Sequence, residues 1–262
     1  MHPFFTILGT QIPAYGTMLL LAYFAALIVA ILRHKTNGMS PLDVFVAMIL
    51  AGAGAFLGGK LFAVIQGLPL FFELQATTGL TFYKYFTSQA GMVFYGGFIG
   101  CILFILLFCV IYKIPAWKVL DTLLPSLPLA QAIGRVGCFL AGCCYGIPCE
   151  HGVYFTNSIV AYIPKDIPLL PVQLIEAACV LGLFIVMVYY GKKARKPGKV
   201  LSLYLLGYGV IRFVLEFFRY DAIRGVYGGL STSQWISILL IALGVYFIRF
   251  YKPKEKSPRI TR

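Results

Sequence analysis

Charge is scarce in this chain of 262 residues. Asp, Glu, Lys and Arg make up 12% of it, against 60% hydrophobic residues and a mean hydropathy of +0.86. Soluble domains carry about a quarter charged residues, so a soluble globular enzyme and a disordered chain are both excluded. Acidic residues are scarcer still, 9 Asp and Glu against 22 Lys and Arg. In so apolar a chain that basic excess reads as loop orientation in a membrane, and no nucleic-acid partner is expected. The seven cysteines are an odd number, which excludes a fully paired disulfide framework. Residues 1–11 lack a basic n-region and a small-residue cleavage site, so no removable leader is expected. The period-two alternation of barrel strands is missing. So are Walker, dinucleotide, H-E-x-x-H and G-x-S-x-G motifs in a supporting context, and no cofactor is expected.

What the chain has instead is long apolar runs. A bilayer core needs about 20 such residues per helix. Runs at 15–32, 42–68, 91–112, 119–141, 169–190, 200–218 and 232–250 meet this and predict an all-α bundle of seven transmembrane helices. Basic residues follow the first, third, fifth and seventh runs, from Arg33 and Lys35 to Arg249 and Arg262. They account for 15 of the 22. Basic loops stay cytoplasmic, which places the N-terminus outside and the C-terminus inside. Residues 1–250 then form one membrane domain and 251–262 a basic cytoplasmic tail. The outward loops 68–90 and 144–168 are the longest, and Gly and Pro are frequent in them.

Lys60, Asp121, Arg135, Glu176, Arg212 and Glu216 fall inside predicted spans. Each costs roughly 2.5–3.5 kcal/mol at the bilayer centre. Asp121 starts its span and reaches the inner interface; the other five must pair or face a wet cavity. At ~1.5 Å per residue, Lys60 lies ~27 Å, Arg135 ~24 Å, Arg212 ~18 Å and Glu216 ~24 Å from the inner end. Glu176 lies ~10 Å and Tyr95 ~6 Å below the outer surface. Charge is therefore concentrated in the outer half, with three cations against two carboxylates. Arg212, Glu216 and Arg219 share one helix face, as do Gln131, Arg135 and Cys138, and Gln173 and Glu176. One reading is a set of ion pairs that holds helices together. The sharper one is a positive pocket open to the outer leaflet, in which arginine forks grip the phosphate of an anionic phospholipid.

Gly52, Gly54, Gly58, Gly59, Gly96, Gly97 and Gly100 have the small-residue spacing of closely packed helices. The stretch GRVGCFLAGCCYG at 134–146 differs, because its glycines flank a buried arginine and could admit a ligand to the backbone. Cys138, Cys143, Cys144 and Cys149 read as small apolar packing, as a disulfide involving Cys149, or as a reactive thiolate beside Arg135. The spacing C-x4-C-C-x4-C fits no zinc template, and no metal is expected. Phe71, Phe72, Tyr83, Tyr85 and Phe86 read as an interfacial belt or as a lid over the headgroup site.

Several ordered motifs resemble the prolipoprotein diacylglyceryl transferase family of seven-helix bacterial enzymes. IPAYG at 12–16 is similar to its tyrosine-glycine pair, and FLGGK at 56–60 to its G-G-[RK] stretch. GMVFYGGFIG at 91–100 is similar to G-G-M-S-F-H-G-G, and Asp121 with GRVGCFLAGCCYG resembles G-R-x-G-N-F-x-N-G-E-x-x-G. LPVQLIE at 170–176 resembles H-P-x-Q-L-Y-E. YGVIRFVLEFFRYD at 208–221 with STSQ at 231–234 resembles R-F-x-x-E-x-x-R-x-x-D followed by x-M-G-Q. The resemblance implies that Arg135 and Arg212 bind phospholipid, that Glu216 and Arg219 support them, and that Tyr15 and Gly146 lie near the lipid. It also carries departures. Tyr95 stands where the family has its histidine, Cys138 and Cys143 replace its asparagine and glutamate, and Leu170 and Ile175 replace a histidine and a tyrosine. The phosphate-gripping half is kept, while much of the acid/base half is changed.

The expected activity is transfer of a diacylglyceryl group from phosphatidylglycerol to the lipobox cysteine of an exported prolipoprotein, with a thioether formed and glycerol phosphate released. Tyr95, Arg135, Arg212 and Glu216 are the expected catalytic residues. Tyr15, Lys60, Cys138, Cys143, Gly146, Gln173, Glu176 and Arg219 join the arginines in binding substrate. The expected location is the bacterial plasma membrane, with the site open to the outer leaflet. A related phospholipid transferase with another acceptor, and a non-catalytic lipid-binding or carrier protein, are the alternatives.

Overall fold

The structure, a computed structural model, describes residues 2–7, 9–78, 81–88, 93–158, 160, 163–193, 195–220 and 225–250. The basic tail 251–262, the motif residues Gly91, Met92 and Asp221, and Arg224 lie outside the described residues. In chain order the elements begin with a short hairpin, β1 (Phe4–Ile7) and β2 (Thr10–Pro13), that leads into α1 (Ala14–Leu32). Next come α2 (Pro41–Thr78), α3 (Phe82–Ser88), α4 (Phe94–Ile111), α5 (Ala116–Leu123) and α6 (Leu127–Ala141). The last part holds β3 (Pro148–Val153), α7 (Val172–Tyr190), α8 (Lys199–Glu216), the two-residue strands β4 (Val226–Tyr227) and β5 (Leu230–Ser231), and α9 (Thr232–Arg249).

Every predicted run is mostly helical. Five helical segments are long and apolar enough to cross a membrane: those beginning at Ala14, Pro41, Ala116, Val172 and Thr232. The apolar helix Tyr95–Ile111 is shorter. Two stretches depart from the expected layout. The loop expected from residue 68 is helical: α2 continues through Pro69 to Thr78, and α3 follows. The run at 119–141 is broken at Pro125, where a 3-10 turn (Leu124–Ser126) separates α5 from α6. A proline has no N–H to give the ladder and crowds the preceding turn, which accounts for the break.

The chain divides into two compact units, Met1–Gly38 with Leu120–Arg262, and Met39–Val119. In the second unit α2 and α4 pack backbone to backbone. A Cβ on Gly54 would lie 2.8 Å from the Gly100 carbonyl carbon, and one on Gly58 would lie 3.0 Å from Gly100 Cα. The predicted glycine face is therefore a helix contact that tolerates no side chain. In the same unit Phe71 and Tyr85 are buried with Val64 in an aromatic cluster, and the Tyr85 hydroxyl donates to Gly67 O at 2.7 Å. Phe72 and Tyr83 are exposed.

In the first unit α1 packs on α6, α6 on α7, α7 on α8 and α8 on α9. Leu183 and Met187 of α7 bury against Val200, Tyr204 and Leu205 of α8. Large apolar side chains such as Leu20, Ile28 and Ile185 stay exposed along the helices, as expected where lipid is the solvent. Arg33, a basic residue expected in a cytoplasmic loop, is buried. Its Nη2 donates to Gly191 O at 2.9 Å and satisfies a carbonyl at the end of α7, where the helix dipole favours a cation. Asp121 is buried within electrostatic reach of Arg33. It supplies a nearby counter-charge for Arg33.

Candidate functional site

The sequence spaces Arg135, Glu176, Arg212 and Glu216 on three helices of the first unit, and the fold brings them together. Glu176, 2% exposed, lies between two arginines. Its Oε1 is 2.9 Å from Arg135 Nη2, and its Oε2 is 3.9 Å from Arg212 Nη1. Arg212 Nη2 lies 2.8 Å from Glu216 Oε2, one helical turn on. The same Nη2 donates to Ser233 Oγ at 3.0 Å. Arg212 Nη1 has no hydrogen-bond partner among the described residues. With Arg219 counted, three arginines face two carboxylates, and the group carries a net positive charge.

The end of α8 and the start of α9 hold Glu216 in place. Ser231 is the N-cap of α9, in a capping box with Gln234. Its hydroxyl accepts from Gln234 N at 3.2 Å and donates to Glu216 Oε1 at 2.8 Å. The STSQ motif thus starts α9 and also orients a carboxylate of the cluster. Tyr208, four residues before Arg212 on the same face, places its phenol beside Arg135, Glu176 and Arg212. It stacks on Tyr204 at 5.7 Å, and the Tyr204 hydroxyl accepts from Gln131 at 2.8 Å. Sequence reasoning did not single out Tyr208, Ser231 or Ser233. For Tyr208 the i, i+4 spacing to Arg212 was the available signal.

Three cysteines meet at the end of α6. The helix closes with Gly142 in the left-handed region (φ 76°), the Gly142 N–H bonded to Phe139 O and the Cys143 N–H to Cys138 O at 3.0 Å. This is the Schellman pattern, which folds the second residue past the helix back onto the residue five before it; here those residues are Cys143 and Cys138. Cys144 also takes a positive φ of 62°, which is uncommon for a residue with a Cβ. The sulfurs of Cys138, Cys143 and Cys144 all lie within 4.8 Å of one another. Gln173, 1% exposed, donates from Nε2 to Cys143 O at 2.6 Å and fixes this turn against α7. The Cys144 thiol lies below the ordinary thiol range, chiefly through hydrogen bonds from Cys138 and Cys143 and then through Arg219 and Arg135. Tyr15 lies within electrostatic reach of all three sulfurs and of Arg135. Gly137 lets α1 approach here, since a Cβ there would lie 2.9 Å from Met18 Cβ. Cys149 is a free thiol in β3, not a disulfide partner.

Gly146 sits where backbone segments converge. A Cβ there would lie 2.7 Å from Leu170 O and from Phe218 O, and the residue is bridged to Arg219. Its small size lets three backbone segments meet. This junction places Arg219 just beyond α8. Lys60 and Tyr95 belong to the second unit, in α2 and at the start of α4. There the Val93 N–H bonds to Gly59 O at 3.1 Å, which brings the chain next to Tyr95 up to the chain next to Lys60. An apolar groove of about 320 Å³ runs between α1, α6 and α7, lined by Met18, Ile133, Val136, Leu174 and Ala178 among others.

A family model described as prolipoprotein diacylglyceryl transferase matches residues 3–250. The phosphatidylglycerol–prolipoprotein diacylglyceryl transferase of Clostridium tetani is 38% identical over 247 residues, covering 92% of this chain and 94% of that protein. Transferase 2 of the same name from Clostridium perfringens is 33% identical over 250 residues, 95% of each chain. The transferase of Acinetobacter baumannii strain SDF is 31% identical over 250 residues, 94% of this chain and 90% of that one.

Proposed function

This chain belongs to the prolipoprotein diacylglyceryl transferase family, and we propose that it transfers the diacylglyceryl group of phosphatidylglycerol to the lipobox cysteine of an exported prolipoprotein. The cysteine sulfur bonds to the glyceryl carbon and the carbon–oxygen bond to phosphate breaks. The electron pair leaves on the phosphate oxygen of glycerol phosphate, and the thiol proton passes to water. Charge grows on that oxygen in the transition state, so cations already aimed at it accelerate the step.

The observation that carries the reading is the pairing of Arg135 and Arg212 through Glu176, with net positive charge. Donors of Arg135 and Arg212 not engaged by the carboxylates take the phosphate oxygens. Glu216 and Ser231 orient Arg212, Gln173 and Glu176 hold the floor of the site, and Arg219 adds charge. Tyr15, Cys138 and Cys143 line the acceptor side, and the groove holds an acyl chain. By family order Lys60 joins phosphate binding and Tyr95 takes the acid/base position, with Gly146 at the backbone junction.

The same reading makes α1, α2, α4, α5 with α6, α7, α8 and α9 the seven spans of one membrane domain, residues 1–250. It puts the N-terminus outside, the tail 251–262 in the cytoplasm, and the site at the outer leaflet of a bacterial plasma membrane. The test mixes purified protein, phosphatidylglycerol vesicles and a lipobox peptide, and reads peptide mass and released glycerol phosphate. Both products should appear together. Glycerol phosphate without peptide modification would assign a different acceptor, a reading favoured by the cysteines at 138 and 143. Neither product, with phospholipid bound, would make the protein a lipid-binding relative.

A further inference from the structure

The acceptor thiol needs an activator. A thiol near pKa 8.5 is mostly protonated at neutral pH, and no histidine or carboxylate joins the group at Cys138, Cys143 and Cys144 among the described residues. We propose that Cys138, Cys143 and Cys144 hold a divalent d10 metal ion of the zinc type, and that its fourth position takes the acceptor cysteine and presents it as thiolate. This rests on the transferase reading above for its acceptor, but the metal site can be tested without it.

Tetrahedral zinc at about 2.3 Å from each sulfur needs sulfurs roughly 3.8 Å apart. The three here lie within 4.8 Å already, and rotation about the cysteine side-chain bonds covers the remainder. The one-dimensional spacing C-x4-C-C argues against a metal only while the segment is treated as a helix followed by a loop. The Schellman turn at Gly142 and the left-handed backbone at Cys144 fold it into three ligands around one point. Gln173 secures the turn through the Cys143 carbonyl, the kind of supporting bond that orients metal ligands.

Charge and access point to the ion and its use. Thiolates select soft or borderline ions. The arginines and carboxylates beside the site leave one positive charge uncompensated. Three thiolates with a divalent ion carry one negative charge and neutralise it, whereas a monovalent ion would leave the site negative. Three protein ligands with an open fourth position are the pattern of a catalytic zinc, not a structural one. Cys138 is buried, but Cys143 and Cys144 are partly exposed, which leaves an approach to the ion. A thiol that coordinates such an ion is deprotonated outright. The acceptor then gives its proton to water and forms its sulfur–metal bond. In the transfer step that sulfur bonds to the glyceryl carbon, the phosphate oxygen keeps the electron pair of the broken carbon–oxygen bond, and the thioether leaves the ion. No electron is gained or lost, and the ion returns to its three-cysteine state.

The experiment uses the full chain in detergent, loaded with zinc or with cobalt as an optical probe. The expected result is one ion per chain by elemental analysis and a thiolate-to-cobalt charge-transfer band that grows when lipobox peptide is added. A peptide with serine in place of its cysteine should leave the band unchanged. Loss of a residue that only orients a metal ligand costs about 10- to 100-fold in metal affinity, so loss of a ligand itself in Cys138→Ser, Cys143→Ser or Cys144→Ser should cost about 100-fold or more. Cys149→Ser is the control and keeps the ion. Chelated protein should lose turnover and regain it with zinc. Several results would overturn the inference: no retained ion, equal retention in Cys143→Ser and Cys144→Ser, a disulfide among the three sulfurs by thiol titration, or full turnover after chelation. Bound metal that takes the peptide thiol, with no thioether formed from any phospholipid, would support the metal site and sink the transferase reading instead.

Discussion

Arg212→Lys separates a phosphate-binding arginine from a structural one. The wild-type guanidinium has two ends with different duties. Nη2 is committed to Glu216 at 2.8 Å and Ser233 at 3.0 Å, while Nη1 has Glu176 at 3.9 Å and no hydrogen-bond partner among the described residues. Nη1 is the donor left for a phosphate oxygen. Lysine keeps the positive charge near Glu216 but has no planar fork, so it cannot hold Glu216 and reach the phosphate together. One charge-assisted hydrogen bond is worth about 1.5–3 kcal/mol. Lost from the transition state, it predicts a fall of about 10- to 150-fold in kcat/KM. Alanine is the less informative change, because it strands buried Glu216 and adds a folding defect to the kinetic one. The assay is phosphatidylglycerol turnover in vesicles, with folding checked by detergent chromatography and thermal melting. A folded Arg212→Lys protein with wild-type turnover would refute the reasoning and reduce Arg212 to an ion-pair partner.

Other perturbations test the remaining parts of the account. Glu176→Gln leaves Arg135 and Arg212 without their shared carboxylate, and breaking such a buried pair costs about 3–5 kcal/mol; detergent unfolding should show a clear loss of stability, and an unchanged midpoint would contradict the bridging role. Gly100→Ala drives a Cβ into the α2 backbone at Gly54; overpacking of this kind costs about 1–3 kcal/mol, so folded yield should fall, whereas Gly16→Ala, with nothing within 4 Å, should behave as wild type. Tags at the two ends should report opposite sides of the membrane, with the C-terminus cytoplasmic. Both ends on one side would contradict the seven-span reading.

The helices were legible because hydrophobic length is a local property, and each apolar run contains one. What the runs did not show were interruptions decided by packing. Pro69 stays within α2, whereas Pro125 breaks the fourth run, and one dipeptide context does not distinguish them. The charged cluster was legible from depth, since Arg135, Glu176, Arg212 and Glu216 cannot remain unpaired in lipid. The role of Arg33 was not, because its partner Gly191 lies 158 residues away and the cap exists only when α1 meets α7. The cysteine cluster lay between these cases. Gly142 was a visible helix stop, and the Schellman geometry makes Cys138 and Cys143 neighbours, but a ligand template based on spacing alone treats them as five residues apart. Gly146 stood out for close approach, but the sequence did not show that Leu170 and Phe218 are the backbones it meets.

In the proposed reaction one bond, between the glyceryl carbon and the phosphate oxygen, is exchanged for a carbon–sulfur bond. Isotope placement tests it directly. Vesicles are made with phosphatidylglycerol labelled either in the diacylglyceryl glycerol or in the headgroup glycerol, and incubated with the protein and a lipobox peptide. Mass spectrometry then follows both labels. The diacylglyceryl label should appear in the peptide and the headgroup label in glycerol phosphate, and the two products should form in equal amounts. Headgroup label on the peptide, or no peptide label above a protein-free control, would contradict it.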